Sequence, residues 1–288
     1  MSAPREDVEF ESCGATLRGW LYRSEVASGP AVVMAHGLSA VKEMFLDDYA
    51  EAFVGVGLTV LAYDHFGIGA SEGEPRQSPS PDLHLQGYRD AVAWVASQPF
   101  VDADRIGLWG SSLSGGEVIM LAVEALPIAC AVAQVPNLGE GAPVLSAGSL
   151  AVFTDAVESG RADAMIPAVA ATADGAGVMF VDDAYGWFTR VSAERAPAWR
   201  NEVLVSGLME VAARQPIADL PNARVPLLLV VAPGDTLTPP GPANAVAAAT
   251  PNVRVVEIPG NHFAAYEGDG FTASSTAAID WFRTHLAP

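Results

Sequence analysis

The stretch RIGLWGSSLSGG, residues 105–116, joins an apolar run to a turn of small residues, and a helical pattern follows it. A serine held at such a strand-to-helix turn projects its Oγ away from the backbone, and the crowding of the turn requires small neighbours. In the pattern G-x-S-x-G, Gly110 is the first glycine and Ser112 is the candidate nucleophile, while Ser114 stands in place of the second glycine. An ordinary glycine- and serine-rich helix start is the alternative interpretation.

Two later apolar runs are each followed by a side chain that completes a catalytic triad. The run VPLLLVVA leads to Asp235, and the run VRVVEI leads to His262. Because the carboxyl ends of parallel strands lie on one edge of a sheet, we expect Ser112, Asp235 and His262 to converge. The order serine, aspartate, histidine agrees with this interpretation. A structural or surface histidine at position 262 is the alternative.

A tetrahedral oxyanion needs hydrogen-bond donors beside the nucleophile. One backbone N–H is expected from Leu113, which follows Ser112 at the positive end of the predicted helix. The second is expected from Leu38, in the turn that follows the apolar run of residues 31–35. His36, in the same turn, is interpreted as a structural residue that braces it.

The rest of the chain repeats short apolar runs, each ended by Gly, Asp, Pro or Ser, with segments of helical spacing between them. Strands buried on both faces have this pattern, and their alternation with helices predicts βαβ units and a parallel sheet. An alternating hairpin around Cys13 is expected at the edge of the sheet. The fold class is therefore predicted as α/β, with strands at 7–12, 16–23, 31–35, 58–63, 105–110, 128–135, 225–232 and 253–258, and helices within 83–98, 117–125 and 271–286.

One long interval interrupts this alternation. No buried-strand run occurs in residues 136–222, which instead contain alanine-rich and aromatic stretches of helical character. A structureless loop of that length is improbable in a compact domain. We therefore predict a helical cap (lid) over residues 136–222, inserted into an α/β core formed by residues 1–135 and 223–288. A helical layer that only pads the core is the alternative.

Three aromatic residues, Tyr185, Trp187 and Phe188, stand close together in the alanine-rich cap. Because the insertion leaves the sheet at the same carboxyl edge as the nucleophile, we predict that these rings bind substrate in an apolar pocket. The alternative is that they anchor the cap to the core. The neighbouring carboxylates Asp182 and Asp183 compete for the role of catalytic acid.

Composition narrows the class of protein and its partners. Half of the 288 residues are hydrophobic, 17% are charged and the mean hydropathy is +0.26, which excludes an intrinsically disordered chain. A formal net charge of −19, with Lys42 as the single lysine, disfavours nucleic acid and anionic membranes as partners. No apolar run reaches 18 residues and the start of the chain is acidic, so a cytoplasmic protein is expected.

Cysteine and histidine spacing gives no sign of a metal centre. The two cysteines, Cys13 and Cys130, are too few for a disulfide framework and are expected to be free thiols. Neither they nor the five histidines have the spacing of metal ligands. No metal and no cofactor is predicted.

These motifs resemble the α/β-hydrolase superfamily, and the resemblance covers almost the whole chain. The HG turn, the segment YDHFGIGAS, the serine turn and the loops of Asp235 and His262 follow the order of the family. HGLSAVKEMF, YDHFGIGASEGEPRQ and GNHFAAYEGDGF look like the dienelactone-hydrolase-like and S15-peptidase-like bacterial esterases, including relatives from polyketide pathways. The nucleophile of dienelactone hydrolase itself is cysteine, so its activity is not carried over to a chain with Ser112.

The resemblance implies an eight-stranded, mostly parallel sheet, acyl transfer to water without a cofactor, and a structural role for Asp64. We predict a serine hydrolase that cleaves an ester, thioester or lactone of a medium or bulky hydrophobic small molecule. An acyltransferase, or a polyketide-pathway thioesterase or cyclase, with the same triad is the alternative, and a non-catalytic binding protein is a further one. Epoxide or haloalkane chemistry is disfavoured because position 112 is not aspartate. A homodimer is left open.

Overall fold

Ten strands form two sheets in the computed structural model, which describes residues 4–139, 146–161, 163–181, 183–241 and 243–287. In chain order they are β1 (Arg5–Ser12), β2 (Ala15–Tyr22), β3 (Gly29–Ala35), β4 (Thr59–Tyr63), β5 (Val101–Ser111), β6 (Cys130–Gln134), β7 (Met165–Ile166), β8 (Val203–Leu204), β9 (Leu227–Val231) and β10 (Val253–Glu257). Eight of them form the main sheet, in the order β1-β2-β4-β3-β5-β6-β9-β10.

The main sheet is mostly parallel. The hairpin of β1 and β2 lies at one edge, and β2 is also antiparallel to β4, while all the other neighbouring strands of this sheet are parallel. The register places Ala35 beside Gly110 and Gly110 beside Ala133, so the carboxyl ends of β3, β5 and β6 lie together. The predicted fold class and the edge position of the hairpin are confirmed.

The described part of the chain contains eight α-helices. They are α1 (Leu46–Val54), α2 (Pro81–Ala96), α3 (Leu113–Leu121), α4 (Ala147–Ser159), α5 (Ala184–Glu194), α6 (Val205–Ala212), α7 (Ala243–Ala248) and α8 (Gly268–His285). Of these, α1 and α7 were not among the predicted helices. None of the helices in the described ranges combines the length and hydropathy that crossing a bilayer requires.

Helices cover both faces of the main sheet. Residues of α1 and α8 belong to one hydrophobic cluster, and residues of α2, α3 and α7 belong to the other. Because side chains alternate between the faces of a strand, β3 contributes Val32 and Met34 to the first cluster and Ala31 and Val33 to the second. Burying each valine-sized side chain stabilises the fold by roughly 1.5–3 kcal/mol. The two clusters hold the strands rigidly, and with them the loops at their carboxyl ends.

The segment between β6 and β9, which the sequence predicts as the cap, contains α4, α5 and α6. It is not purely helical, because β7 and β8 pair as a small antiparallel sheet and Val169 forms an isolated bridge with Met179. Strands of two residues are too short to show alternation, which is why the sequence predicted helices alone. Among the contacts that join the cap to the core, Trp199 Nε1 donates to Ser39 O at 2.9 Å.

Candidate active site

Ser112 lies at the turn between β5 and α3, with φ 58° and ψ −114°. A left-handed backbone is strained for a residue with a side chain and costs about 1–3 kcal/mol unless its surroundings hold it. Here the Ser112 N–H donates to Gln134 O at 2.9 Å, and Ser112 O accepts from Gly116 N at 3.1 Å and Asn137 N at 2.8 Å. Gly110 is needed for this turn, since a Cβ there would lie 2.3 Å from Ser114 O. Ser112 therefore has the backbone of a nucleophile turn.

Asp235 and His262 lie together in the loops after β9 and β10. His262 Nδ1 donates to Asp235 Oδ2 at 2.7 Å, and both residues are buried. That bond leaves Nε2 as the ring nitrogen that carries a lone pair. Asp235 Oδ1 accepts from the backbone N–H groups of Leu237 at 2.9 Å and Thr238 at 2.7 Å. The aspartate thus fixes both the orientation and the tautomer of the imidazole.

Thr238 was not anticipated from the sequence, yet it contacts both of these groups. Its Oγ1 lies 2.8 Å from Asp235 Oδ2 and 3.0 Å from His262 Nδ1. Burial by itself raises the pKa of the Asp235 carboxyl, but the hydrogen bond and attraction of His262 and the donors of Thr238 outweigh it and lower the pKa. Asp235 is therefore held in its ionised form.

One cavity is lined by both Ser112 and His262. Its walls come from the core and the cap, and its polar lining consists of His36, Ser111, Ser112, His262 and Tyr266. The other described lining residues are apolar or glycine: Gly37, Leu38, Ala40, Met44, Leu46, Met179, Trp187, Phe188 and Phe263. No side chain of Lys, Arg, Asp or Glu is found among these lining residues. Such a cavity suits an uncharged, largely apolar small molecule.

Ser112 and His262 share the cavity wall, but no hydrogen bond between their side chains is formed among the described residues. Ser112 is 8% exposed, with its side chain in the cavity wall. Hydrogen bonds of catalytic groups are often long in the unliganded state and shorten when substrate binds. The structure thus brings the three predicted triad residues into one region. Of the two hydrogen bonds of a triad, it forms the one between His262 and Asp235.

The backbone N–H groups of Leu38 and Leu113 have no hydrogen-bond acceptor among the described residues. Leu38 lines the cavity, and Leu113 is the first residue of α3, directly after Ser112. The first N–H groups of a helix have no partner within it and carry partial positive charge. Both predicted donors therefore lack an acceptor among the described residues, although Leu113 is not one of the residues that line the cavity.

Ser114, at the second glycine position of the motif, has a role that the sequence did not indicate. Its Oγ lies 2.6 Å from His36 O, 2.9 Å from Glu117 Oε2 and 2.7 Å from His65 Nε2. The hydroxyl therefore links α3, which begins with Leu113, to the end of the strand that precedes the Leu38 turn. A glycine could not make this connection.

His65, His84 and Glu117 form a buried group whose ligand-type atoms all lie within 4.8 Å of one another. The two imidazoles stack with centroids 3.8 Å apart and planes inclined by 6°. A nitrogen lone pair lies in the plane of its ring, so two parallel, stacked rings cannot aim at one ion. In addition, His84 Nδ1 is 2.7 Å from Glu117 Oε1. The group is better described as a hydrogen-bonded cluster than as a metal centre.

Asp64 and His36 have the structural roles that were expected for them, at and beside the turn that follows β3. Asp64 accepts from Lys42 N at 2.8 Å, from Lys42 Nζ at 2.7 Å and from Ala70 N at 2.9 Å. His36 Nδ1 lies 2.9 Å from Gly37 O, and His36 Nε2 accepts from His65 N at 3.4 Å. Burial lowers the pKa of His36, so its ring is neutral near pH 7.

The three aromatic residues of the cap have different positions. Trp187 and Phe188 line the cavity, whereas Tyr185 is 41% exposed and does not line it. Successive residues of a helix are 100° apart, so Tyr185 lies about 200° around α5 from Trp187. Tyr185 is therefore corrected to a surface residue. Of the competing acids, Asp183 does not line the cavity, and Asp182 lies outside the described residues.

Comparisons with known proteins give the family. Residues 32–273 match the model of the "Alpha/beta hydrolase family". The chain is 31% identical to polyketide transferase af380 of Aspergillus fumigatus over 300 residues, which cover 98% of this chain and 99% of that protein. It is 47% identical to thiohydrolase aneE of Aspergillus aculeatus over 114 residues, which cover 39% of this chain and 36% of that protein.

A solved structure extends the likeness to the whole fold. The crystal structure of the alpha/beta hydrolase GrgF from Penicillium sp. sh18 has a TM-score of 0.83 to this chain at 25% identity. The match covers 99% of this chain and 100% of that chain. With the geometry of the serine turn and the matched family model, these similarities lead to one conclusion: the chain is a hydrolase enzyme that belongs to the alpha/beta hydrolase family.

Proposed function

We propose that this protein is a serine hydrolase that cleaves esters or thioesters of uncharged, medium-sized or bulky hydrophobic acyl groups, with an acyl-enzyme on Ser112. One observation carries the proposal: the strained serine turn opens into the same cavity as His262, whose Nδ1 is bonded to Asp235. A nucleophile, a base and the residue that orients the base are the parts that acyl transfer needs.

In the proposed reaction, Ser112 Oγ attacks the substrate carbonyl while His262 Nε2 takes the hydroxyl proton. Asp235 holds the imidazole and stabilises the imidazolium that forms. The N–H groups of Leu38 and Leu113 stabilise the oxyanion of the tetrahedral intermediate, and each such donor is worth about 10²–10³ in rate. The bond to the leaving alcohol or thiol then breaks, and His262 returns the proton to it.

Water then releases the acyl group in a second round of the same steps, in which water is the nucleophile and Ser112 Oγ is the leaving group. His262 Nε2 takes a proton from the water as its oxygen attacks the acyl carbonyl, and it protonates Ser112 Oγ when the ester bond breaks. The products are a carboxylic acid and the free enzyme. No cofactor takes part in this proposed sequence.

The lining of the cavity and one relative support the proposed substrate class. Trp187, Phe188, Phe263 and the two lining methionines give the cavity an apolar wall, and no charged side chain is among the described lining residues. The similar protein from Aspergillus aculeatus is called a thiohydrolase, which favours a thioester as one of the substrates. The narrower resemblance to dienelactone-hydrolase-like esterases stays a prediction.

Labelling with a fluorophosphonate tests the proposal, since this reagent reacts with an activated serine. Wild type should gain one adduct by intact mass, and Ser112→Ala should gain none. The neighbouring changes Ser111→Ala and Ser114→Ala are matched controls that should keep the adduct. Labelling of Ser112→Ala at the rate of wild type would refute the assignment.

Acyl transfer to an alcohol or amine is a second candidate, because a relative that matches nearly the full chain is called a polyketide transferase. The same acyl-enzyme would form, and only the acceptor would differ. Product partition separates the two. If an added alcohol or amine takes most of the acyl group at millimolar concentration, transfer is the favoured reaction; if the acid remains the main product, hydrolysis is.

A further inference from the structure

Two hydroxyl groups that the proposed mechanism does not use lie in the cavity wall next to the nucleophile. Ser111 Oγ and Tyr266 OH are 2.6 Å apart, and both residues line the cavity with Ser112. Ser111 is 1% exposed and Tyr266 is 9% exposed, so both residues are buried. Polar groups placed in an otherwise apolar pocket commonly fix the orientation of a ligand.

The described residues do not offer acceptors for both hydroxyl hydrogens of this pair. Ser111 Oγ accepts from Gln134 Nε2 at 3.2 Å, and Gln134 Oε1 accepts from Ser274 Oγ. Of the two hydroxyl hydrogens of Ser111 and Tyr266, only one can lie between their oxygens. The other has no acceptor among the described residues, whichever hydroxyl it belongs to. A buried donor without an acceptor is unfavourable, so this site favours a ligand that supplies one.

The pair is a permanent donor in a fixed position. Burial raises the pKa of the Tyr266 phenol, so the phenol keeps its proton throughout the neutral range. The Tyr266 ring packs against Trp187 and Phe45, with centroids 5.3 Å and 6.2 Å away. Ser111 is the last residue of β5 and pairs with Gln134 in the sheet. The Tyr266 ring cannot turn away without breaking its ring contacts, and the Ser111 hydroxyl is held by Gln134 Nε2 and Tyr266 OH.

The hydroxyl pair includes the residue that precedes the nucleophile in the chain. Ser111 and Ser112 are consecutive, so their Cα atoms are about 3.8 Å apart. Because Ser111, Ser112 and Tyr266 line the same cavity, an acyl group on Ser112 Oγ lies in the space that the hydroxyl pair borders. The described lining residues include no lysine or arginine, so the acceptor that fits is a neutral oxygen rather than a carboxylate.

We infer that Ser111 and Tyr266 form a binding subsite for an oxygen atom on the acyl chain, and that the enzyme selects acyl groups with a keto, hydroxy or ether oxygen close to the reacting carbonyl. This inference rests on the proposed acyl-enzyme at Ser112. It adds a substrate class to it: oxygenated acyl esters or thioesters are preferred to plain alkyl chains of equal length.

Two N-acetylcysteamine thioesters of equal length, 3-oxohexanoyl and hexanoyl, test the inference. After each kcat/KM is divided by the rate of hydroxide-catalysed hydrolysis, wild type should favour the 3-oxo compound about 10-fold, as expected for one hydrogen bond between neutral groups. A corrected ratio near one in wild type would overturn the subsite. If neither thioester is cleaved, the result contradicts the proposed function itself, and the subsite that rests on it is rejected as well.

Variants supply an independent readout, because the intrinsic reactivity of the substrates cancels when ratios are compared between proteins. The double change Ser111→Ala/Tyr266→Phe removes both hydroxyls and should lower the ratio about 10-fold. Of the two single changes, the one that removes the hydroxyl that donates to the substrate should lower the ratio more. Tyr63→Phe is the matched control, since the Tyr63 hydroxyl is buried without a hydrogen-bond partner among the described residues and lies in the hydrophobic cluster on the other face of the sheet. A folded double variant with the wild-type ratio would refute the inference.

Discussion

Gly37 lies so close to Ser112 that a Cβ on the glycine would be 2.8 Å from Ser112 Cβ and 3.4 Å from its Oγ. The turn that carries the Leu38 N–H therefore touches the nucleophile directly. The spacing between the nucleophile and this oxyanion donor depends on the absence of a side chain at position 37.

Gly37→Ala should lower kcat by about 10²–10³, because the turn must move away and the Leu38 donor with it. The measurement is steady-state hydrolysis of a p-nitrophenyl ester. Gly241→Ala is the control, since a Cβ at Gly241 meets no atom of the described, non-adjacent residues within 4 Å. A Gly37→Ala enzyme within two-fold of wild type would show that the turn does not position the oxyanion.

Asp235→Asn should lower kcat by up to about 10⁴ with a modest change in KM, a magnitude taken from the serine protease triad. An amide cannot stabilise the imidazolium, and it favours the wrong tautomer of His262. Asp183→Asn is the matched control and should keep its activity, since Asp183 does not line the cavity. The opposite pattern in the two variants would assign the acid to the cap.

Acid should destabilise the fold below about pH 6.5. Burial lowers the pKa of His36 and lowers that of His65 further, so the unfolded chain binds protons that the folded chain excludes. The contribution of these two histidines to the free energy of unfolding is complete above their pKa in the unfolded chain. It is lost as the pH falls below that value, by up to about 1.4 kcal/mol per pH unit for each histidine.

Urea unfolding at pH 7.5, 6.0 and 5.0 measures this loss. His65→Gln should make the slope of unfolding free energy against pH shallower. His285→Gln should change the slope less, because His285 is more exposed to solvent than His65. Identical slopes in wild type and His65→Gln would show that His65 titrates alike in both states.

Trp187→Ala should change both substrate choice and stability. The indole contacts the rings of Phe45, Phe263 and Tyr266 and also lines the cavity. Its removal should cost about 3–5 kcal/mol of folding free energy and shift the preferred acyl chain to longer groups. Thermal melts and a panel of p-nitrophenyl esters of graded length measure the two effects.

Tyr185→Ala is the control for this prediction, because Tyr185 is exposed on the other side of α5. It should leave both properties near wild type. If Trp187→Ala lowers the melting temperature and leaves the length preference unchanged, Trp187 anchors the cap and does not select substrate.

The triad candidates could be predicted because each follows a strong strand pattern and because parallel strands end on one edge. The runs before Asp235 and His262 form strands of five residues each, of which β9 is fully buried and β10, at the edge of the sheet, buries only Val253. The type and order of the elements were sufficient to predict that these loops lie close together. Even α1 carries a readable signal, since Leu46, Tyr49, Ala50 and Phe53 are buried at helical spacing.

Contacts between distant segments could not be predicted in this way. Thr238, Ser114 and Tyr266 act through hydrogen bonds whose partners lie 24 to 155 residues away. No local pattern encodes such a pairing, because it depends on how the loops settle on the finished sheet. The error at Tyr185 has a different cause: neighbouring aromatic residues on one helix cannot all face the same side.

The only lysine of the chain, Lys42, is 4% exposed, and its ammonium group bonds to Asp64 and Glu43. Amine-reactive reagents, such as N-hydroxysuccinimide esters, therefore find no lysine on the surface of the folded protein. Immobilisation or dye attachment must use other handles, among them the exposed thiol of Cys13. Modification of Lys42 itself would report that the core has opened, which makes lysine labelling a chemical probe of unfolding for this enzyme.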